Sequence, residues 1–138
     1  KDIKFYNLKF YESYSEIDKR NKLIPTLYKN FKKNKTTKIV TKNLELNIIH
    51  INDLIKSVYF ILNKNIKSGD YCLKNQKNIK IKRLIRSIND KSPRPIKVKF
   101  LSNKPIKPQK SFLKSLPKWK ADITIQKKIE KLFYNEIN

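Results

Sequence analysis

LKFYESYSEIDKRNKLIP, residues 8–25, passes from an alternating strand pattern through a polar loop into the start of a helix. Leu8, Phe10 and the alternate residues after them have the period of two expected of a half-buried strand, and SEIDKR is the loop that follows. Leu23, Ile24, Leu27, Tyr28 and Phe31 then recur at helical spacing, with Asn21 as the expected N-cap and Pro25 in the first turn, where a missing N–H is tolerated. Downstream, short β-branched runs at residues 38–41 and 46–51 read as strands. A second helix is expected after Asn52, with Leu54, Ile55, Val58, Tyr59 and Leu62 on one face. Gly69 and Asp70 turn the chain into a strand at residues 71–73, and Ile81, Leu84, Ile85 and Ile88 mark a third helix that Pro93 and Pro95 terminate. Ile96, Val98 and Phe100 alternate as a strand, a basic Pro-containing loop covers residues 104–110, and Ile125, Ile129, Leu132 and Phe133 mark a terminal helix. The expectation is a small mixed α/β unit whose strands are too short and too separated to form a doubly wound sheet alone.

Composition limits the chemistry. Gly69 is the sole glycine, so neither a G-x-G-x-x-G turn nor a Walker loop can be written from this chain. Cys72 and His50 are each alone, which excludes an intrachain disulfide and a Cys/His metal cluster. No apolar run approaches a membrane span and no signal-peptide pattern is present, so a cytoplasmic protein without membrane contact is expected. The chain begins at Lys1 and has no Met, which suggests a cut piece of a longer protein.

The formal charge of +23 is made of 30 Lys and only 4 Arg, scattered through every segment. Lys, Ile and Asn supply 65 of the 138 residues, the signature of an A/T-rich coding sequence in which Lys drifts into surface positions. Readers of nucleic acid lean on the bidentate Arg fork, so a solvated surface explains most of the charge, with weak, salt-sensitive adhesion to polyanions expected. Tyr28 and Lys32 form a Tyr-x-x-x-Lys, but a chain this rich in both residues produces that spacing by chance.

Taken in order, the motifs resemble the C-terminal, substrate-binding part of the NAD-dependent epimerase/dehydratase family, the extended short-chain dehydrogenase/reductases that modify nucleotide sugars. A strand of the type L-R-x-F-N-x-Y-G is matched by Leu8, Lys9, Tyr11, Glu12, Tyr14 and Ser15, and a helix opening K-L-I-P by Lys22, Leu23, Ile24 and Pro25. The D-F-V-H-V-x-D-V signature falls on residues 47–54, with His50 and Asp53 in register. G-x-x-Y-N-I-G is matched at Gly69, Tyr71, Cys72 and Leu73, and P-Y-R-x-x-E at Pro105, Ile106, Lys107 and Lys110. A final L-P-G-W-type segment is matched at Leu116, Pro117, Lys118 and Trp119, with Ala121, Thr124 and Ile129 beyond it.

The resemblance implies that residues 1–138 are the substrate-binding region of such a protein. Glu12, Tyr14, Arg20, Lys22, Leu23, Leu46 and Lys107 would then face a nucleotide sugar. It implies NAD or NADP as cofactor of the intact parent, held by a Rossmann domain that also carries the catalytic Tyr-x-x-x-Lys. The chain alone would bind no cofactor and be inactive, and the parent could form a homodimer. The segment IKIKRL, residues 79–84, and LPKW look most like members that handle dTDP- or CDP-linked deoxysugars for surface polysaccharide. Departures from the pattern are equally specific. Glu12 stands where an Asn is usual, Leu46 where an Arg binds phosphate or ribose, Lys107 where a second Arg clamps phosphate, and Lys118 where a Gly precedes the Trp. His50 is expected to orient the turn into the second helix rather than to act as acid or base. Pro117 and Trp119 are expected to pack. Two other readings compete: a small basic nucleic-acid-binding protein, drawn from the charge and from aromatics interleaved with lysine at residues 4–14, and a functionless relic of a truncated gene.

Overall fold

A computed structural model describes residues 3–134. The elements run β1 (Tyr6–Phe10), β2 (Glu12–Tyr14), α1 (Leu23–Lys32), β3 (Thr37–Ile39), β4 (Glu45–Leu46), β5 (Ile48–His50), α2 (Ile51–Asn63), β6 (Gly69–Leu73), β7 (Ile79–Lys80), α3 (Ile81–Asn89), β8 (Val98–Phe100) and α4 (Ile125–Tyr134). The first extended run breaks at Tyr11 because its two halves take different partners. β1 pairs in parallel with β6, and β2 pairs in parallel with β5. β3 and β8 form a third parallel pair, and β4 and β7 an antiparallel one. Every sheet among the described residues is two-stranded, as the short, separated strand patterns imply.

Two apolar clusters hold these pairs. The larger joins the buried faces of α1, α3 and α4, with Ile24, Leu27, Phe31, Leu84, Ile88, Ile129 and Phe133 at its centre. The smaller gathers Ile49, Ile61, Tyr71, Leu73 and Leu116, with Trp119 packed at its edge. Strand alternation connects the two: Ile48 of β5 enters the first cluster and its neighbour Ile49 the second. α3 shows why these helices form where they do. Its apolar residues Ile81, Leu84, Ile85 and Ile88 recur every three or four positions and are buried, while the charged residues between them are exposed.

Both expected helix caps move by a residue or two. Lys22, not Asn21, is the N-cap of α1, with no side-chain capping bond. α2 begins at Ile51 with His50 as its N-cap: the ring Nδ1 accepts from the Asn52 N–H at 3.2 Å, a role an Asn carbonyl would ordinarily play. His50 thus orients the turn, as its place in the sequence suggests. The apolar stripe of α2 is present but mostly outward. Asp53, Ser57 and Ile61 are buried, whereas Ile55, Val58, Tyr59 and Leu62 are exposed, Tyr59 at 63% and Leu62 at 74%. Asp53 earns its buried place by accepting the Ile123 N–H at 3.0 Å, and the Ser57 hydroxyl donates to the Leu54 carbonyl at 2.6 Å.

One family departure has a visible backbone consequence. Lys118 sits at φ 60°, in the left-handed region, within a turn where the Trp119 N–H donates to the Leu116 carbonyl at 3.3 Å. A Cβ in that region costs roughly 1–2 kcal/mol, partly offset by the entropy Gly loses on folding. Lys118→Gly is therefore expected to stabilise the chain by about 0.5–1 kcal/mol, read as a rise in the urea midpoint. An unchanged or lowered midpoint would contradict a strained turn.

Candidate functional site: a cationic cleft beside helix α3

Backbone pairing between segments far apart in sequence builds the site. Residues 41–45 run beside residues 102–107. The Lys42 N–H donates to the Ser102 carbonyl at 3.1 Å, the Glu45 N–H to Ile106 at 2.8 Å, and the Ile106 N–H returns to Asn43 at 3.2 Å. Side chains add to the clamp. The buried Thr41 hydroxyl donates to the Lys104 carbonyl at 2.6 Å, and the Asn43 amide donates to the Asn103 carbonyl at 2.6 Å. The start of α3 is tied to the same segment, because the Ile81 N–H donates to the Leu44 carbonyl at 2.9 Å.

These bonds enclose a cleft of about 480 Å³ with Leu44, Asn43 and Pro105 in its lining. Lys42, Lys80, Lys82, Arg83, Arg86 and Lys107 also line it, six cations against the single carboxylate of Glu45. That carboxylate accepts from the Asn78 side-chain amide at 3.3 Å. Lys107 is thus held in a strongly positive concavity, where low-dielectric walls strengthen the field felt by an anion.

The remaining residues predicted from the sequence lie apart from this cleft. Arg20 is occupied: its guanidinium donates to the Asp18 carboxylate, with Nε–Oδ1 at 2.9 Å, and to the Ser13 carbonyl at 2.9 Å. That pairing holds the Asp18 carboxyl below the usual carboxylate range. Arg20 lines a second concavity with Ile17, Pro25 and Tyr28. Lys22 is exposed at the start of α1 and lines neither concavity. Leu23 and Leu46 are partly buried against the larger core and supply apolar surface. Glu12 on β2 is half-buried, and desolvation pushes its carboxyl upward against the pull of Lys22 and Arg20. Tyr14 is buried with its ring edge-on to His50 at 6.1 Å; burial first, then the charge of Glu16, drives its hydroxyl pKa up, and its Oη has no hydrogen-bond partner.

A second network joins the loop after β2, the N-cap of α2 and α4. His50 Nδ1 accepts from the backbone, so Nε2 carries the proton it presents to Glu16 Oε2 at 3.0 Å. Glu16 Oε1 meets Lys128 of α4 at 3.2 Å. Burial works to raise the Glu16 carboxyl, but the bonds from His50, its own backbone and Lys128 outweigh it and lower the pKa. Asn47, where the family pattern has Asp, is structural: its amide spans the Asn75 backbone and the Asn78 side chain at 2.9–3.0 Å.

No family model matches the chain. It is 26% identical over 140 residues to the CDP-abequose synthase of Salmonella muenchen, a similarity that covers 95% of this chain and 47% of that protein. The structure superposes on UDP-glucuronic acid 4-epimerase of Bacillus cereus, solved in complex with UDP-glucuronic acid and NAD, with a TM-score of 0.72 and 15% identity. That match covers 91% of this chain and 43% of the epimerase. The chain is similar to members of the NAD-dependent epimerase/dehydratase family. It corresponds to the C-terminal part of these extended short-chain dehydrogenase/reductases, and it spans about half the length of the curated relative it matches. RMD of Pseudomonas aeruginosa, solved with NADPH, has the same fold at a TM-score of 0.70 and 11% identity, over 93% of this chain and 46% of that one. Nucleotide sugars and nicotinamide cofactors are bound by these extended short-chain dehydrogenase/reductase structures.

Sequence reasoning missed Arg83 and Arg86. The available signal was their rarity: half of the chain's arginines sit three residues apart on the exposed face of one helix.

Proposed function

We propose that this chain is the substrate-binding portion of an NAD- or NADP-dependent nucleotide-sugar epimerase, dehydratase or reductase. Its ligand is a sugar carried on a nucleoside diphosphate, with a CDP- or dTDP-linked deoxysugar of surface polysaccharide favoured by the likeness to CDP-abequose synthase. The observation that carries this reading is the cleft itself. The loop that holds Lys107 is clamped to the segment leading into the His50 strand, so two motif stretches about 60 residues apart meet at a concavity suited to a diphosphate.

In this reading Lys107 binds the diphosphate in the cleft, while Glu12, Arg20, Lys22 and Leu23, grouped about the start of α1 outside it, meet the rest of the nucleotide sugar. Tyr14 is buried and Leu46 packs against the larger core, so both act from behind the binding surface rather than by touching the ligand. The catalytic Tyr-x-x-x-Lys and the nicotinamide cofactor belong to a Rossmann domain of the intact protein. Two surfaces support such a partner. β1 has β6 as its one partner strand among the described residues, and the outward stripe of α2, Ile55, Val58, Tyr59 and Leu62, is apolar and uncovered. The nicotinamide supplies hydride chemistry when bound; this chain supplies binding energy and orientation.

The division of labour has a direct test. NADH fluorescence titrated against this chain alone is expected to show no saturable change, because a dinucleotide needs a Gly-rich turn and Gly69, at the start of β6, is the only glycine. The full-length protein should bind NADH or NADPH. Saturable micromolar binding to the isolated chain would contradict the proposed division.

A further inference from the structure

We propose that Arg83 and Arg86 on α3 grip the diphosphate group of the ligand, supplying the guanidinium forks whose family positions hold Leu46 and Lys107 here. The identity of the carrier as a nucleoside diphosphate sugar rests on the function proposed above; the grip on a diphosphate is argued from the cleft alone.

The four arginines divide cleanly. Arg20 is paired with Asp18 and Ser13. Arg94 lies 4.5 Å over the Phe31 ring and donates to the Lys32 carbonyl at 3.4 Å. Arg83 and Arg86 both line the cleft, and the ion pairs among the described residues involve neither of them, nor Lys42, Lys80, Lys82 or Lys107. Folding does not explain the place of Arg83. α3 has no acid in its first turn, so Arg83 there opposes the helix dipole, whereas Arg86, in the last turn, is favoured by it. Arg83 and Arg86 are exposed, so neither contributes to the core their helix buries. Three residues apart on a helix, they are surface neighbours, so each fork can take one of two adjacent phosphates while Lys107 faces the same ligand across the cleft. The cleft has the volume of a small-molecule site.

Calorimetric titration of the full-length protein with pyrophosphate and with CDP tests this. Arg83→Ala with Arg86→Ala removes two charge-assisted contacts and should weaken both ligands by about thirtyfold or more. Arg83→Lys with Arg86→Lys keeps the charge but loses the forks, and should weaken them by about tenfold. A charge-matched control on the exposed face of α4, Lys127→Ala with Lys131→Ala, should change affinity by less than about twofold. All three variants should keep the wild-type thermal midpoint, because the side chains removed are exposed. Equal losses in the control and in the double-alanine variant would reduce the effect to general charge and overturn the inference. CDP bound equally by wild type and double-alanine variant would also overturn it, leaving the nucleotide-sugar reading intact. Arginine-dependent binding of pyrophosphate with CDP no tighter would support the grip and count against the nucleotide carrier.

Discussion

Phe133→Ala is expected to destabilise the chain by about 3–5 kcal/mol, a cost comparable to the whole stability of many small domains. The ring is fully buried where α4 meets α1, edge-on to Phe31 at 5.1 Å between centroids and to Tyr28 at 5.5 Å. Removing it leaves a cavity that the two remaining aromatic rings and the two helices cannot close, and it also removes two favourable ring pairs. Leu27, Ile129 and Ile88 share the cluster and lose a neighbour. Urea unfolding followed by far-UV circular dichroism should show the transition shifted to much lower urea or lost. Phe112→Ala is the matched control, because that ring is fully exposed at 104% and its removal should leave the midpoint unchanged. Equal midpoints for Phe133→Ala and Phe112→Ala would refute the three-helix core.

Lys107→Ala in the full-length protein is expected to weaken nucleotide-sugar binding by about tenfold or more. A charge-assisted contact is worth roughly 1.5–3 kcal/mol, and each 1.4 kcal/mol is a factor of ten. Leu46 makes the loss larger rather than smaller, since that position has no cation to share the phosphate. Lys107 is exposed, so the variant should fold normally and the effect should fall on binding alone. Lys67→Ala removes an exposed lysine outside the cleft and should do almost nothing. Indistinguishable affinities for the two variants would make the Lys107 loop ordinary solvated surface.

The sequence discloses α1, α3 and α4 because each buries one face against a core formed within this chain, so period and burial agree. α2 is different. Its apolar residues are as periodic, yet Ile55, Val58, Tyr59 and Leu62 face outward while Asp53 and Ser57 are buried, because specific hydrogen bonds to Ile123 and Leu54 hold those polar groups. Periodicity finds an apolar face but does not say what covers it. The caps shifted for a local reason: a His ring nitrogen accepted the bond that Asn52 was expected to take, and α1 opened at Lys22 with no side-chain cap at all. Lys107 was legible through its motif. Its neighbours were not, since Lys42, Arg83 and Arg86 reach the cleft through backbone pairing across about 60 residues and through the tie between Ile81 and Leu44, neither of which has a local pattern. Arg20 pairs instead with Asp18, and Glu12 lies within electrostatic reach of Lys22, Arg20 and Asp18.

The central claim, that this chain holds the diphosphate of a nucleotide sugar, is tested most directly by titrating the full-length protein with CDP-, dTDP- and UDP-linked sugars in a calorimeter. Saturable binding of at least one of them is predicted, competed by its free nucleoside diphosphate and weakened about tenfold by Lys107→Ala. A flat titration for all three sugars, in a protein that still binds its nicotinamide cofactor, would contradict the account.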